Sequence, residues 1–545
     1  MNGLDHKKYF EDKRITKQGF GFLGRGANVV KFLLISGATV LVTDLKSEKD
    51  LEQSIKELED FILENNIDKN KITYRLSEHK LEDFGKLENK DGKIIGCDYV
   101  IQASGVPKDN IYLKHSKEQG VKVYQESSLF IEIIRNYNNN LEKENKSKED
   151  IEQNKIKIIG ITGTRGKTTT TFLIKKIIED YLDNQNVKNR NGGGGEAAAK
   201  EGKARRQVYF GGNVQGVATL ENLKHIKEGD VIVMELDSWI LQGFKDINYS
   251  PNIAVFTNIM ADHMNYYKND MREYFLDKAN IFLHQKSDDV FITTEDLEKE
   301  IEKYLNPEDF KKYSENKNLK NILSEEKIQE INNNFRSNLL GDHNKINVAL
   351  AITAAQKFGV DDESIQKSLD SFTGVAGRME KIKTLNGVDY INDTCATTPD
   401  AAIAALTALM PTLKNNSQII LITGGKSKEL DMTNYVNSII ELKVKNVIKK
   451  ILLLSDSTTT GTDILVRALN DKKFFDYELA LNLEIAVNAA RSAAEEGVEN
   501  KFNLKDGTKN NIILFTPAFA SFGMFQNEYD RGEKFNQVVN NLKWF

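Results

Sequence analysis

Gly160-Ile-Thr-Gly-Thr-Arg-Gly-Lys-Thr-Thr-Thr-Thr171 joins an apolar strand, a glycine turn and a Lys-Thr pair that opens a helix. Gly163 and Gly166 let the backbone turn tightly and aim N–H groups at a polyphosphate. Lys167 adds a point charge, and a hydroxyl from Thr168 or Thr169 can reach Mg²⁺. Thr164 and Arg165 complete the loop. This is the pattern of a nucleotide phosphate site. The general P-loop spacing is missed, because Ile161 stands where it requires glycine, and the shorter form TGT-x-GKTT fits.

With 545 residues the chain is too long for one core, and three domains fit best. The 75 Lys+Arg against 80 Asp+Glu give a net charge of −5, which offers no electrostatic case for nucleic acid or an anionic membrane as partner. Cys97 and Cys395 are too few and too far apart for a disulfide framework or a metal knuckle, so a reducing compartment is expected. Met1–Phe10 has no apolar signal core, and no apolar run is long enough to span a bilayer. A soluble cytoplasmic monomer is expected.

Outward from the loop, the fold class reads as α/β. Residues 15–130 alternate short apolar runs with helix-like segments, the pattern of βαβ units and a parallel sheet. They contain Gly19-Phe-Gly-Phe-Leu-Gly24 with Asp44 about 20 residues on, which alone would suggest a nicotinamide dinucleotide. The strand before it, Ile15-Thr-Lys-Gln18, is poorly apolar for a buried parallel strand. Residues 136–154 are charged and amide-rich and read as a linker; 183–206, with its Gly₄ run and Glu-Ala-Ala-Ala-Lys, reads as a mobile surface insertion. From about 374 a hairpin over Leu385–Ile391 and the runs Ile419–Thr423, Lys450–Leu454 and Ile512–Phe515 predict another α/β domain. The expected division is 1–135, 155–373 and 374–545.

Further motifs follow the phosphate loop in one order: Gly211-Gly-Asn-Val214, Glu235-Leu-Asp-Ser-Trp239, Asn258-Ile-Met-Ala-Asp-His263, Tyr274-Phe-Leu-Asp-Lys278, Gly341-Asp-His-Asn344, Gly377-Arg-Met-Glu380 and Asn392-Asp393. Together they resemble the Mur ligase family, ATP-dependent enzymes that join an amino acid to a peptidoglycan precursor through an amide bond. The resemblance implies a Rossmann-like UDP-sugar domain, a central P-loop ATPase-type domain and a C-terminal Rossmann-like domain, with ATP bound at a domain interface. The segments Phe515–Phe525, Arg531-Gly532 and Ile391–Thr397 resemble the branch that adds glutamate to UDP-N-acetylmuramoyl-L-alanine.

The resemblance also assigns residues. Glu235, His263 and Lys278, with Thr168, would serve two Mg²⁺ ions, Asp262 supporting His263 and Lys278 reacting with CO₂ to become a carbamate. Asn344 and Asn347 would meet the adenine side, Arg378 the ATP phosphates and Asp393 the ribose. Phe22 and Leu23 would line the diphosphate turn, Asp44 and Leu45 the uridine pocket, and Ser104, Gly105 and Asn213 would complete the sugar-nucleotide contacts. Gly105 and Pro107 read equally well as plain turn formers. Thr397, Lys428, Ser521 and Phe522 would hold glutamate, hydroxyls and a cation being suited to an acidic amino acid.

Three positions depart from the family pattern: Cys395 replaces a common lysine, Ile240 a glutamine, and Lys426 an acidic residue. The competing readings are another Mur-type ligase with a different amino acid, a nicotinamide-dependent oxidoreductase, and a nucleotide-binding protein without catalysis.

Overall fold

The structure, a computed structural model, describes residues 4–20, 25–90, 93–107, 109–144, 146–191, 205–315, 320–413, 417–496 and 511–543. Phe22 and Leu23 lie outside these residues, as does most of the expected insertion, 192–204.

Among the described residues the backbone forms one five-stranded and two six-stranded sheets, with a two-stranded ribbon. The first sheet orders its parallel strands Ile72–Leu76, Thr39–Asp44, Arg14–Gln18, Tyr99–Gln102 and Lys122–Gln125. Its middle strand is the poorly apolar one, and the chain supplies acceptors for its buried polar side chains. Thr16 Oγ1 donates to Asp83 O at 2.6 Å, and Lys17 Nζ donates to Gln18 O and Gly19 O at 3.0 and 2.7 Å. Paired in this way, polar groups are tolerated where an unpaired one would be costly.

The central sheet is parallel throughout, in the order Lys320–Leu323, Val290–Thr294, Ile253–Phe256, Lys157–Thr162, Val231–Glu235 and Val208–Gly212. Its inner strands are buried on both faces, which is why they read as near-continuous apolar runs. The phosphate-loop helix, Lys167–Asn191, continues through the first residues of the expected insertion.

These two sheets lie in one compact unit, residues 1–336 and 346–369, and share a hydrophobic core. The stretch expected as a linker is largely helical, since one helix runs Glu126–Leu141 and another Lys148–Asn154. Leu141 is buried, and the Asn138 amide both donates to Ile156 O and accepts from Ile156 N, at 2.9 and 3.0 Å.

The second unit, residues 337–345 and 370–545, holds the third sheet: Glu380–Leu385, Val388–Asn392, Asn511–Phe515, Ile419–Thr423, Ile448–Leu454 and Glu478–Ala480. The first pair is the predicted antiparallel hairpin and the rest are parallel. Helix Pro399–Leu409 covers one face with its alanines and leucines. No described helix is long and apolar enough to cross a membrane.

Candidate active site

The phosphate loop leaves the carboxyl end of strand Lys157–Thr162 and enters its helix at Lys167. Two glycines are forced there. Gly163 has φ +146°, and a Cβ on it would stand 1.9 Å from Thr257 Oγ1; Gly166 has φ +80°, and its Cβ would meet Asn347 Oδ1 at 2.2 Å. The neighbouring strand end braces the loop. Thr164 N donates to Asn258 O at 2.9 Å, Arg165 N to Asn258 Oδ1 at 2.9 Å, and Thr257 Oγ1 to Arg165 O at 2.5 Å. With Thr257 and Asn258 given to these duties, the strand Ile253–Phe256 ends before them. Asn258 was an unassigned motif residue; its place after a central strand was the available signal.

Two lysines converge on the loop. Lys167 Nζ donates to Gly163 O and Thr164 O at 3.0 and 3.1 Å, and Lys278 Nζ donates to the same Gly163 O at 2.9 Å. Lys278 is buried, with its Nζ 4.9 Å from the centre of the Tyr274 ring. Burial first, and then the Lys167 charge, hold its ammonium well below the usual lysine range. Its helix ends at Ala279, short of the expected Phe282, and Asn280 onward forms turns.

The acids and the histidine come from neighbouring segments. Glu235 ends its strand and is buried, while its carbonyl accepts from Asn213 N at 2.6 Å, which ties another predicted residue to this edge. His263 sits in the left-handed region at φ +55°, its Nε2 3.8 Å from Asp262 Oδ2. Asp262 also faces Arg165 at 3.9 Å. Burial lowers the His263 pKa despite Asp262, so the imidazole is neutral near pH 7, the form that binds metal. Its ring packs on Trp239 with centroids 4.7 Å apart. Thr168 and Thr169 are half-buried in the first turn of the loop helix. Asn347 is buried beside Gly166, and Asn344 donates from Nδ2 to Leu340 O at 2.8 Å.

Ile240 is 1 % exposed and belongs to the core. Gln242, two residues on, reaches Asp277 Oδ2 at 2.7 Å and Tyr266 at 3.3 Å, and Tyr267 also donates to Asp277 at 3.1 Å. The residue before Lys278 is thereby held by an amide and a phenol.

At the carboxyl edge of the first sheet, Asp44 spends both oxygens inside the chain, accepting from Phe20 N at 2.7 Å and Lys46 N at 3.0 Å. Leu45 and Ser104 are exposed beside it. Gly105 has φ +82° with open space around a Cβ, and Gly19 has φ +77° with Ala103 Cβ 2.8 Å from where its own would be.

In the second unit, Lys428 Nζ donates to Thr397 Oγ1 at 2.9 Å, which pairs two residues expected to hold glutamate. Ser521 Oγ is buried with no partner among the described residues, and Phe522 is exposed. Asp393 accepts from Thr516 Oγ1 at 2.9 Å and Met379 N at 3.1 Å, and burial pushes its carboxyl up to about 7. Arg378, two residues from the strand Glu380–Leu385, lowers that value slightly. Burial pushes the Cys395 thiol up, which makes it a poor nucleophile. Lys426 is exposed and bridges Ala520 through backbone bonds of 2.9 and 3.1 Å.

A parallel-sheet phosphate loop with two lysines, a carboxylate and a histidine on one edge defines a nucleotide-dependent group-transfer enzyme. Residues 161–355 match the Mur ligase middle domain, and residues 377–502 match the Mur ligase, glutamate ligase domain. A UDP-N-acetylmuramoylalanine--D-glutamate ligase of Chloroherpeton thalassium is 30% identical over 88% of this chain and 93% of its own. One of the same name from Borreliella burgdorferi is 28% identical over 96% and 97%. A crystal structure of a UDP-N-acetylmuramate-alanine ligase from Thermotoga maritima covers 97% of this chain and 100% of its own, with TM-score 0.49 and 15% identity. The chain belongs to the Mur ligase family.

Proposed function

We propose that this protein is an ATP-dependent amide-bond ligase that adds D-glutamate to UDP-N-acetylmuramoyl-L-alanine during peptidoglycan precursor synthesis. The observation that carries the reading is the convergence of Lys167 and Lys278 on the Gly163 carbonyl, with Glu235 and His263 on the same edge of the central sheet.

A carboxylate oxygen is a poor leaving group, so the L-alanyl carboxylate must first take the γ-phosphoryl group of ATP. The loop N–H groups and Lys167 offset the charge that spreads over the phosphoryl oxygens. The glutamate amine then attacks the acyl carbon and forms a tetrahedral intermediate. Phosphate leaves, the amine gives up its proton, and an amide remains. Thr397, Lys428 and Ser521 orient glutamate; Arg378 and Asp393 are assigned to ATP phosphates and ribose, and Asn344 and Asn347 to adenine.

Mg²⁺ commonly binds through one or two carboxylates plus substrate phosphates, seldom through an all-protein cage. Glu235, Thr168 and His263 would hold it, and it would neutralise phosphoryl charge. Lys278 is assigned as a carbamate: its buried amine favours the neutral form that attacks CO₂, and the product supplies another oxygen ligand.

The division into 1–135, 155–373 and 374–545 suits this reading, with the first sheet holding UDP. A cytoplasmic monomer suits substrates that are nucleotides and activated sugars. Incubating the protein with ATP, Mg²⁺ and UDP-N-acetylmuramoyl-L-alanine, and adding D- or L-glutamate in turn, tests the whole. ADP release and a product heavier by one glutamyl residue should appear with the D enantiomer; turnover with neither enantiomer would refute the assignment.

A further inference from the structure

Three glutamines stand side by side at the carboxyl end of the first sheet. Gln18 is the register partner of Gln102, and Gln102 of Gln125, on adjacent parallel strands. Register partners project from the same face, and neighbouring strands lie about 4.8 Å apart, so the three amides form a row. Gln18 and Gln125 are each 3 % exposed, and among the described residues the Oε1 of each has no hydrogen-bond partner.

The Gln125 amide is fixed in orientation. Its Nε2 donates to Trp239 O at 2.7 Å, and turning it over would set oxygen against oxygen. A buried acceptor left unpaired costs about 1–3 kcal/mol, and this row carries two. The carboxyl ends of parallel strands are also where open α/β sheets receive ligands. Trp239 extends the row toward the reaction site. Its indole N–H is buried without a partner among the described residues, and its ring centroid lies 4.7 Å from that of His263.

We propose that Gln18 and Gln125 accept hydrogen bonds from N–H or O–H groups on the arm of the acyl substrate that joins the nucleotide to the reacting carboxylate. The arm required is a glycosyl group that carries amides and hydroxyls, and the indole N–H of Trp239 donates to an acceptor on it. This rests on the substrate reading above and adds what it lacked, namely side chains that read the middle of the molecule. A glutamine that ends a strand looks in sequence like an ordinary polar boundary, so local pattern does not single these residues out.

Calorimetry of the full chain without ATP tests the inference, with UDP-N-acetylmuramoyl-L-alanine and UDP titrated separately. Gln18→Leu and Gln125→Leu should each weaken binding of the sugar nucleotide about 10- to 100-fold and leave UDP affinity within about twofold. Gln18→Leu should not lower the melting temperature, because removing an unpaired buried acceptor is neutral or better. Should Gln125→Leu fail to fold through loss of its bond to Trp239, Gln18→Leu carries the test alone. Variants that bind the sugar nucleotide as wild type does, or that lose UDP equally, would overturn the inference while leaving the substrate reading intact. Wild-type protein that binds UDP but gains nothing from the sugar arm would overturn both.

Discussion

At the carboxyl edge of the central sheet two lysines are drawn to one loop carbonyl, whereas at the same edge of the third sheet the buried ionisable groups are a carboxyl, Asp393, and a guanidinium, Arg531. Those two are satisfied internally. Arg531 donates to Thr394 Oγ1, Thr394 O and Phe519 O at 3.0, 2.7 and 3.0 Å, and Asp393 accepts from a hydroxyl and a backbone amide. Near them stand the Ser521 hydroxyl, buried without a partner among the described residues, and the exposed Lys428, which donates to Thr397. On the proposed function, Lys167 and the loop N–H groups at the central edge serve a polyphosphate, and Thr397, Lys428 and Ser521 in the second unit serve a small acidic molecule. Two parallel sheets of similar architecture take different tasks because their strand ends carry different charge, which is why function must be argued from the site.

The largest effect that separates the two regions is expected at Lys278. Lys278→Ala should lower turnover by about 10²-fold or more, the order found when a charge-stabilising group is removed. Formate or acetate should restore part of it by replacing the carbamate oxygens. An unrescued variant with full activity would remove Lys278 from the central site.

At the third sheet the expected effect is on stability. The Asp393 pKa rises from 3.8 to about 7 through burial, so the folded protein holds its proton over a range where the unfolded chain has released it. Stability should fall as pH rises from about 4 to about 7, by an amount on the order of a few kcal/mol. Asp393→Asn should flatten that slope, which urea unfolding at stepped pH measures directly. An unchanged slope would place the proton elsewhere. A smaller effect belongs to Ser521: Ser521→Ala should raise the glutamate KM about 10-fold with kcat nearly unchanged, because binding shared equally by the ground and transition states is lost. The smallest belongs to Cys395. Cys395→Ser should keep wild-type turnover, and a dead variant would mean that the thiol, despite its raised pKa, takes part in the reaction.

Much of this was legible in the sequence for local reasons. The loop Gly163–Thr169 declares itself because glycine spacing, a lysine and hydroxyls must be consecutive to cradle phosphate, and strands such as Ile419–Thr423 declare themselves through unbroken apolar runs. Long-range partnerships were not legible. The register that aligns Gln18, Gln102 and Gln125 joins residues far apart in the chain, as does the bond from Lys278 to Gly163. The buried polar strand Arg14–Gln18 looked unsuitable because its acceptors, Asp83 O among them, lie far along the chain or are backbone atoms that composition does not reveal. Helix ends and the stretch 136–154 differed because tertiary packing of Leu141 and Asn138 outweighed local polarity.

The division of labour between the two sheets has one direct test. With glutamate omitted, hydroxylamine is added to protein, ATP, Mg²⁺ and UDP-N-acetylmuramoyl-L-alanine, and the L-alanyl hydroxamate is measured. Activation that needs no amino-acid substrate predicts ATP-dependent hydroxamate that Lys167→Ala abolishes and Ser521→Ala largely spares. Trapping that requires glutamate, or a Ser521→Ala variant as inactive as Lys167→Ala, would contradict it.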